Sequence, residues 1–314
     1  MSNQDRDNSG GFVFDGGQHT FSGPMAAGSN SQAVQHGDSA SQPSPPRQRT
    51  PDTVSAGESR LATAVVVTAI EEEFRAVAEH LSAPFDEHTE KDTLYKIGFL
   101  RGQRQDWRVA LAQAGPGNVG AGVHLERARS AFAPDVILFV GVAGGLKDVR
   151  LGDVVVADAI YDYESAKELE NSYQPRMKTA SPSHRCVQRA MDVARSDEWQ
   201  QRVRTVLPPD MPRPRALVKP LAAGGKLVAH DQALTRQRLR AYCGDATAVE
   251  MEGYGFLQSA YMSAGVDALV VRGISDLLTG KDERNDAYWQ PVAARTAAAF
   301  ACEFLDTFAL SGGR

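Results

Sequence analysis

The rhythm of apolar and polar positions changes abruptly near residue 60. From there Ala64-Val65-Val66-Val67-Thr68-Ala69-Ile70 is an almost unbroken apolar run, the pattern of a strand covered on both faces. Glu71 opens a helix in which Phe74, Val77, Ala78 and Leu81 recur at i, i+3, i+4 and i+7, forming one apolar stripe. Thr93–Leu100 and Trp107–Gln113 predict a hairpin across Gly102. A Gly-rich turn at Gly115-Pro116-Gly117-Asn118, a helix to about Phe132 and a buried strand Val136–Val142 follow. Asp153–Tyr161 predicts another strand. Helices near His184–Arg195, Asp231–Arg240, Gly253–Ser263 and Pro291–Phe308 then alternate with strands near Leu217–Ala222, Thr247–Met251 and Ala268–Ile274. Such alternation implies an α/β fold, a mostly parallel sheet with helices on both faces. There is no internal repeat, so one domain over residues 60–310 is the simplest organisation.

Residues 1–58 read differently. They are rich in Ser, Gly, Gln, Asn and Pro and end in Pro43-Ser44-Pro45-Pro46 and Arg47-Gln48-Arg49, a composition that buries too little apolar area to offset its ordering entropy. The expectation is a disordered tail with a stiffened linker. Within it, residues 12–38 place the β-prone islands Phe12-Val13-Phe14, Thr20-Phe21 and Ala33-Val34-Gln35 between glycines, with amide side chains able to stack, which suits cross-β assembly. Through Ala33-Val34-Gln35-His36-Gly37 this stretch resembles the amyloid-type signalling motifs of some bacterial immune effectors. That resemblance implies docking to a sensor protein carrying a like motif; a featureless tail is the alternative.

Composition narrows the function classes. With 39 acidic against 34 basic residues and a net charge of −5, the chain has no electrostatic footprint for nucleic acid or an anionic membrane. No apolar run reaches the roughly 18 residues of a membrane span. The N-terminus lacks the basic start and apolar stretch of a signal peptide, so a cytoplasmic location is expected. Cys186, Cys243 and Cys302 are far apart, without a CxxC pair or a His at ligand spacing; reduced, buried thiols and no metal or other cofactor are expected.

Ligands of open α/β sheets bind beyond the carboxyl ends of the strands, and four polar or Gly-rich clusters fall there. They are Glu71-Glu72-Glu73, the turn Gly141-Val142-Ala143-Gly144-Gly145, Glu250-Met251-Glu252 and Ser275-Asp276. Each alone has an ordinary explanation: acidic residues in a first helical turn complement the helix dipole, an Asp caps a helix, and a Gly-rich turn links strand to helix. Their convergence does not, because like charges brought together are costly unless a ligand or a shifted pKa relieves them.

These residues resemble the nucleoside phosphorylase superfamily, and within it the branch that hydrolyses methylthioadenosine and S-adenosylhomocysteine. The resemblance runs from Ala64 to Phe308. It rests on Thr68-Ala69-Ile70-Glu71-Glu72-Glu73, Gly141-Val142-Ala143-Gly144-Gly145-Leu146, Leu151-Gly152-Asp153-Val154-Val155-Val156, Val249-Glu250-Met251-Glu252 and Arg272-Gly273-Ile274-Ser275-Asp276. It implies a three-layer, phosphorylase/hydrolase-like fold, a mostly parallel mixed sheet flanked by helices, that cleaves the N-glycosidic bond of a purine nucleoside or nucleotide without cofactor. By resemblance, Asp276 is the acid at the purine N7 and Ser275 orients it. Glu252 accepts from the ribose hydroxyls and stabilises the oxocarbenium-like transition state, and Glu73 polarises the attacking water. Met251 lies against the ribose, the backbone of Leu227-Val228 reads the adenine edge, and Gly144 and Glu250 complete the substrate-binding set. A homo-oligomer is likewise implied.

A phosphorylase needs donors for a phosphate dianion. Here Glu71-Glu72-Glu73 would repel it, and Val142 stands where relatives often place a hydroxyl residue, which favours water. Val142 also departs from the nucleosidase pattern, and Leu227 replaces the aromatic residue that often stacks on adenine. The 5′ substituent is open: methylthio and homocysteine groups want an apolar pocket, whereas a nucleotide wants cations, which Lys226, Arg272, Lys281 and Arg284 could supply. A phosphorylase, and a non-catalytic nucleotide-binding signalling module, remain the alternatives.

Overall fold

In the computed structural model of the chain, the residues described are 61–170, 172–209, 211–225, 233–263, 266–277 and 283–310. The tail 1–58, its segment 12–38 and Lys226, Leu227, Val228 and Lys281 lie outside them, as does the side chain of Arg284. Contacts divide the chain into units 1–57 and 58–314.

In chain order the elements are β1 (Ala62–Thr68), α1 (Glu71–Ala78), β2 (Ser82–Glu90), β3 (Thr93–Leu100), β4 (Trp107–Gln113) and α2 (Asn118–Phe132). Next come β5 (Val136–Gly145), β6 (Val154–Asp162), β7 (Ala166–Leu169), β8 (Ser172–Pro175), β9 (Lys178–Ala180) and α3 (His184–Arg195). A 3-10 turn (Glu198–Arg202), β10 (Ala216–Ala223), α4 (Leu234–Tyr242), β11 (Ala248–Glu250), α5 (Gly253–Met262), β12 (Asp267–Leu277) and α6 (Glu283–Thr307) complete the unit.

The continuous apolar runs are strands buried on both faces, as their pattern requires. Along β1 and β5 alternate residues enter opposite cores. Ala64, Val66, Val136 and Leu138 meet Ala76 and Val77 of α1, Ala190 of α3 and Ala297 of α6. Val65, Val67, Ile137 and Phe139 meet Ala121 and Leu125 of α2 and Phe256 of α5. Helix layer, sheet and helix layer follow directly from that two-residue period.

The main sheet runs β11-β10-β6-β12-β5-β1-β4-β3-β2. β1 is parallel to β4 and β5, and β12 is parallel to β5. The hairpin β3–β4 is antiparallel, with Gly98 opposite Val109. A further pairing joins β11 to β5, antiparallel, so that β11, β10, β6, β12 and β5 close into a ring. Ring closure satisfies ladder groups that would otherwise form open edges.

Three expectations need correction. The segment Gly141–Gly145 is not a turn: β5 continues through Gly145, held by β12 on one side and β11 on the other. β12 likewise runs past Ile274 to Leu277, with an irregularity between Ile274 and Asp276. α6 begins at Glu283 and carries Pro291 inside it. The proline was expected at the helix start, where its missing N–H is harmless. Among the described residues, no helix is long and apolar enough to cross a membrane.

Candidate active site

The site is assembled on the last five residues of β5. Gly144 is the register partner of both Asp276 on β12 and Val249 on β11. The ring closure therefore sets Glu250-Met251-Glu252, which follow Val249, beside Ser275-Asp276. Arg272 pairs in register with Gly141, and Val142 of the same stretch meets Glu73 from α1. All three expected catalytic carboxylates thus surround residues 141–145.

Glu73 is 2 % exposed although it lies in the first turn of a helix whose two preceding glutamates face solvent. Its Oε2 accepts from the N–H groups of Ala69 (2.6 Å) and Ile70 (3.0 Å), and its Oε1 accepts from Val142 N–H at 2.8 Å. Reaching back to the residue before the helix is one half of a capping box; reaching across to Val142 is a tertiary contact. A carboxylate has about four acceptor directions, so Oε1 keeps one. Burial pushes the Glu73 carboxyl above its ordinary value, against the opposing pull of Arg272 and the three backbone donors.

Arg272 is wholly buried, a rare placement for a guanidinium without partners. Its Nη2 donates to Glu252 Oε2 at 2.9 Å and to Glu250 Oε2. Its guanidinium carbon lies 4.6 Å from the ring centre of Phe139, within cation–π range. Its Nε and Nη1 have no hydrogen-bond partner. Burial works to lower the guanidinium's pKa, but Glu250, Glu252 and Glu73 together hold it raised.

Glu250 is fully engaged. Besides Arg272 it accepts from Glu252 N–H at 3.1 Å and from Gly253 N–H at 2.8 and 3.0 Å, capping the start of α5. Burial raises its pKa as well, with Arg272 opposing. Glu252 is poised otherwise. Its Oε1 accepts from Gly117 N–H at 3.0 Å and its Oε2 from Arg272, leaving one acceptor direction on each oxygen. Gly117 can present that N–H because it adopts φ 114°, a region closed to residues with a side chain.

Gly141 explains itself by what surrounds it. A Cβ there would stand 2.2 Å from Arg272 Nη1 and 2.5 Å from Glu73 Oε1, so only hydrogen fits between the two side chains. At the far end of the site, Ser275 is buried and its Oγ lies 3.3 Å from Asp276 Oδ2. Asp276 and Met251 are half-buried.

Two expected substrate contacts are therefore corrected. Arg272 cannot serve as a cation for a 5′ phosphate, since it is sealed beneath the site and paired to two carboxylates. Glu250 supports the site from behind, its oxygens spent on Arg272 and the α5 N-terminus. Gly117 and Gly141 were absent from the expected set. The glycines of the 115–118 turn were visible, but a contact spanning 135 residues to Glu252 leaves no local trace.

Such an arrangement defines a class: a three-layer α/β protein whose strand ends gather buried carboxylates about one arginine. Residues 63–306 match the family model of the phosphorylase superfamily, and the chain belongs to that superfamily. Over 211 residues it is 30% identical to the ATP nucleosidase Cap17 of Escherichia coli (strain KTE188), covering 63% of this chain and 41% of that protein. It thus spans about two fifths of the length of that relative. It is 26% identical over 208 residues to the 5′-methylthioadenosine/S-adenosylhomocysteine nucleosidase of Staphylococcus aureus (strain JH9), covering 64% of this chain and 83% of the relative. In fold it resembles the corresponding Neisseria meningitidis nucleosidase bound to methylthio-immucillin-A, with a TM-score of 0.64 at 21% identity over 79% of this chain and 100% of that one. It also resembles the futalosine hydrolase of Helicobacter pylori, with a TM-score of 0.63 at 21% identity over 79% and 99%.

Proposed function

We propose that residues 60–310 form a catalytic domain that hydrolyses the N-glycosidic bond of an adenine nucleoside or nucleotide, releasing the base. The observation that carries this is the gathering of Glu73, Glu252 and Asp276 around Gly141–Gly145, with Arg272 buried beneath them. The relatives named above as nucleosidases agree with it.

Cleavage of the C1′–N9 bond places positive charge on the ribose and negative charge on the purine. Glu252, with one open acceptor direction per oxygen, suits the two ribose hydroxyls, and its charge favours the oxocarbenium-like transition state. Asp276 donates a proton toward N7, with Ser275 orienting it. Glu73 Oε1 offers one acceptor direction beside Arg272 Nη1, a buried donor without a partner. A water held at that acceptor direction would pass its proton toward Glu73, the carboxylate whose pKa burial raises. The same dense negative charge disfavours a phosphate dianion as nucleophile.

Met251 and Gly144 line the sugar side, and the backbone of Leu227-Val228 reads the adenine. With Arg272 withdrawn, cations for a nucleotide's phosphates would come from Lys226, Lys281 and Arg284. Homo-oligomers are part of the proposal, and the apolar groups Val119, Tyr261 and Met262, exposed on α2 and α5, suit such a face. So is the docking of segment 12–38 to a sensor, in a cytoplasmic defence role.

Chromatographic assay of base release from adenosine, methylthioadenosine, S-adenosylhomocysteine, AMP and ATP, each with and without phosphate, tests the proposal. Adenine release independent of phosphate is expected. Release only with phosphate would make the protein a phosphorylase, and binding without release would make it a signalling module.

A further inference from the structure

A second concavity, of about 330 Å³, lies between the end of β5 and α4. Lys147, just beyond β5, lines it together with Arg236 and Arg240 of α4, while Leu146, Leu239 and Cys243 supply an apolar wall. No acidic residue is among its described lining residues. Arg236 and Arg240 are one helical turn apart and so share a face; Arg236 is 4 % exposed.

The backbone holds this wall firmly. Leu146 and Lys147 both donate their N–H groups to Thr247 O, at 2.9 and 3.4 Å, and Lys147 Nζ donates to Gly244 O. Two acids adjoin lining residues in sequence, Asp148 after Lys147 and Asp245 between Gly244 and Ala246; Asp245 accepts from the Tyr161 hydroxyl at 2.7 Å. Among the described residues no carboxylate forms an ion pair with Lys147 or Arg240. Lys147 and Arg240, brought to one concavity, repel each other, and an anion between them lowers that cost.

A phosphate fits these donors: the guanidinium fork offers paired N–H groups and the ammonium a point charge. The volume lies near the lower end of small-molecule sites, about 300–1,000 Å³, and the apolar wall accommodates the remainder of such a molecule. None of Glu73, Glu250, Glu252, Arg272, Ser275 or Asp276 lines it. Leu239 and Cys243 instead pack with Ala222 and Val249 in a small core of their own, which lies behind the strand that delivers Glu250.

We propose that this cavity, with Lys147, Arg236 and Arg240 converging on it, is a second ligand site that binds the phosphate group of a small molecule. It is independent of the hydrolytic activity proposed above. Calorimetric titration of the full chain with inorganic phosphate, AMP and adenosine tests it, in the wild type and in a Lys147→Glu/Arg240→Glu variant. Phosphate and AMP are expected to bind the wild type, and the double reversal to weaken phosphate binding by about a hundredfold, each lost charge-assisted contact costing about tenfold. Adenosine binding and base release should be unchanged.

Displacement of phosphate by AMP identifies a nucleotide as the ligand, and failure to displace it identifies the free ion. Unchanged phosphate affinity in the variant, or no phosphate binding by the wild type, overturns the proposal. A Lys147→Gln/Arg240→Gln variant with wild-type melting behaviour guards against misfolding and should weaken phosphate in the same direction. A wild type that releases no base yet binds phosphate in this charge-dependent way would sink the hydrolase proposal and leave the second site standing.

Discussion

Arg272 Nη2 lies 2.9 Å from Glu252 Oε2 with both groups buried, and the same nitrogen bonds Glu250. One fully desolvated cation thus holds together the carboxylates at the start of α5 while standing close to Glu73. The pair is best regarded as a device for keeping Glu252 aimed. Its net worth to folding is small, because desolvating the partners offsets most of their attraction.

Removing one partner is a different matter. Arg272→Met should destabilise the domain by about 3–5 kcal/mol, the usual cost of leaving buried charge uncompensated, and abolish base release. Because burial raises the Glu250 pKa against the pull of Arg272, the loss should shrink as pH falls. Denaturant unfolding of wild type and variant at acid and neutral pH checks this; an equal loss at both would show that the carboxylates do not feel the arginine.

Gly141→Ala places a methyl group against Arg272 Nη1 and Glu73 Oε1, both ends of buried side chains with nowhere to retreat. A displacement of this size should lower base release by about a hundredfold, with a stability cost of about 1–3 kcal/mol. Val142→Ser keeps the N–H that Glu73 uses and should cost no more than about 1 kcal/mol. Base-release rates and melting curves for the two variants should separate clearly, and parity between them would remove the steric argument.

Glu73 makes a signed prediction about pH. Its carboxyl must be ionised to take a proton from water, and burial raises its pKa above the ordinary 4.5. The acid limb of the kcat profile should therefore have its midpoint above 4.5. Stability moves the other way: a raised folded-state pKa contributes stability that is complete below the unfolded value and is lost as pH rises through the folded one. Relative to Glu73→Gln, the wild type should lose unfolding free energy over that same window. A pH-independent difference between the two proteins would rule the titration out.

Asp276→Asn should lower base release by about 10²–10⁴-fold, the range for removing a general acid, with substrate binding largely kept. Ser275→Ala, which removes the hydroxyl 3.3 Å from Asp276 Oδ2, should have a smaller effect in the same direction. Single-turnover measurements alongside equilibrium binding distinguish lost chemistry from lost affinity.

The local alphabet of this protein was readable before its folding. Unbroken apolar runs marked β1 and β5 as doubly covered strands, and helical spacing placed α1, α2, α3 and α5 close to their observed bounds, because those signals depend on neighbours a few residues apart. Glu73, Glu252 and Asp276 were recognisable as carboxylates at strand ends. Only the tertiary structure decided that β5 runs on through Gly145 to close against β11, and thereby that Glu250 faces inward on Arg272 while Glu252 keeps free acceptor directions. Those outcomes hang on contacts such as Val142 with Glu73 and Gly117 with Glu252, 69 and 135 residues apart. A chain's periodicity carries no record of such partners, since they meet only when the sheet curls and water leaves the space between them.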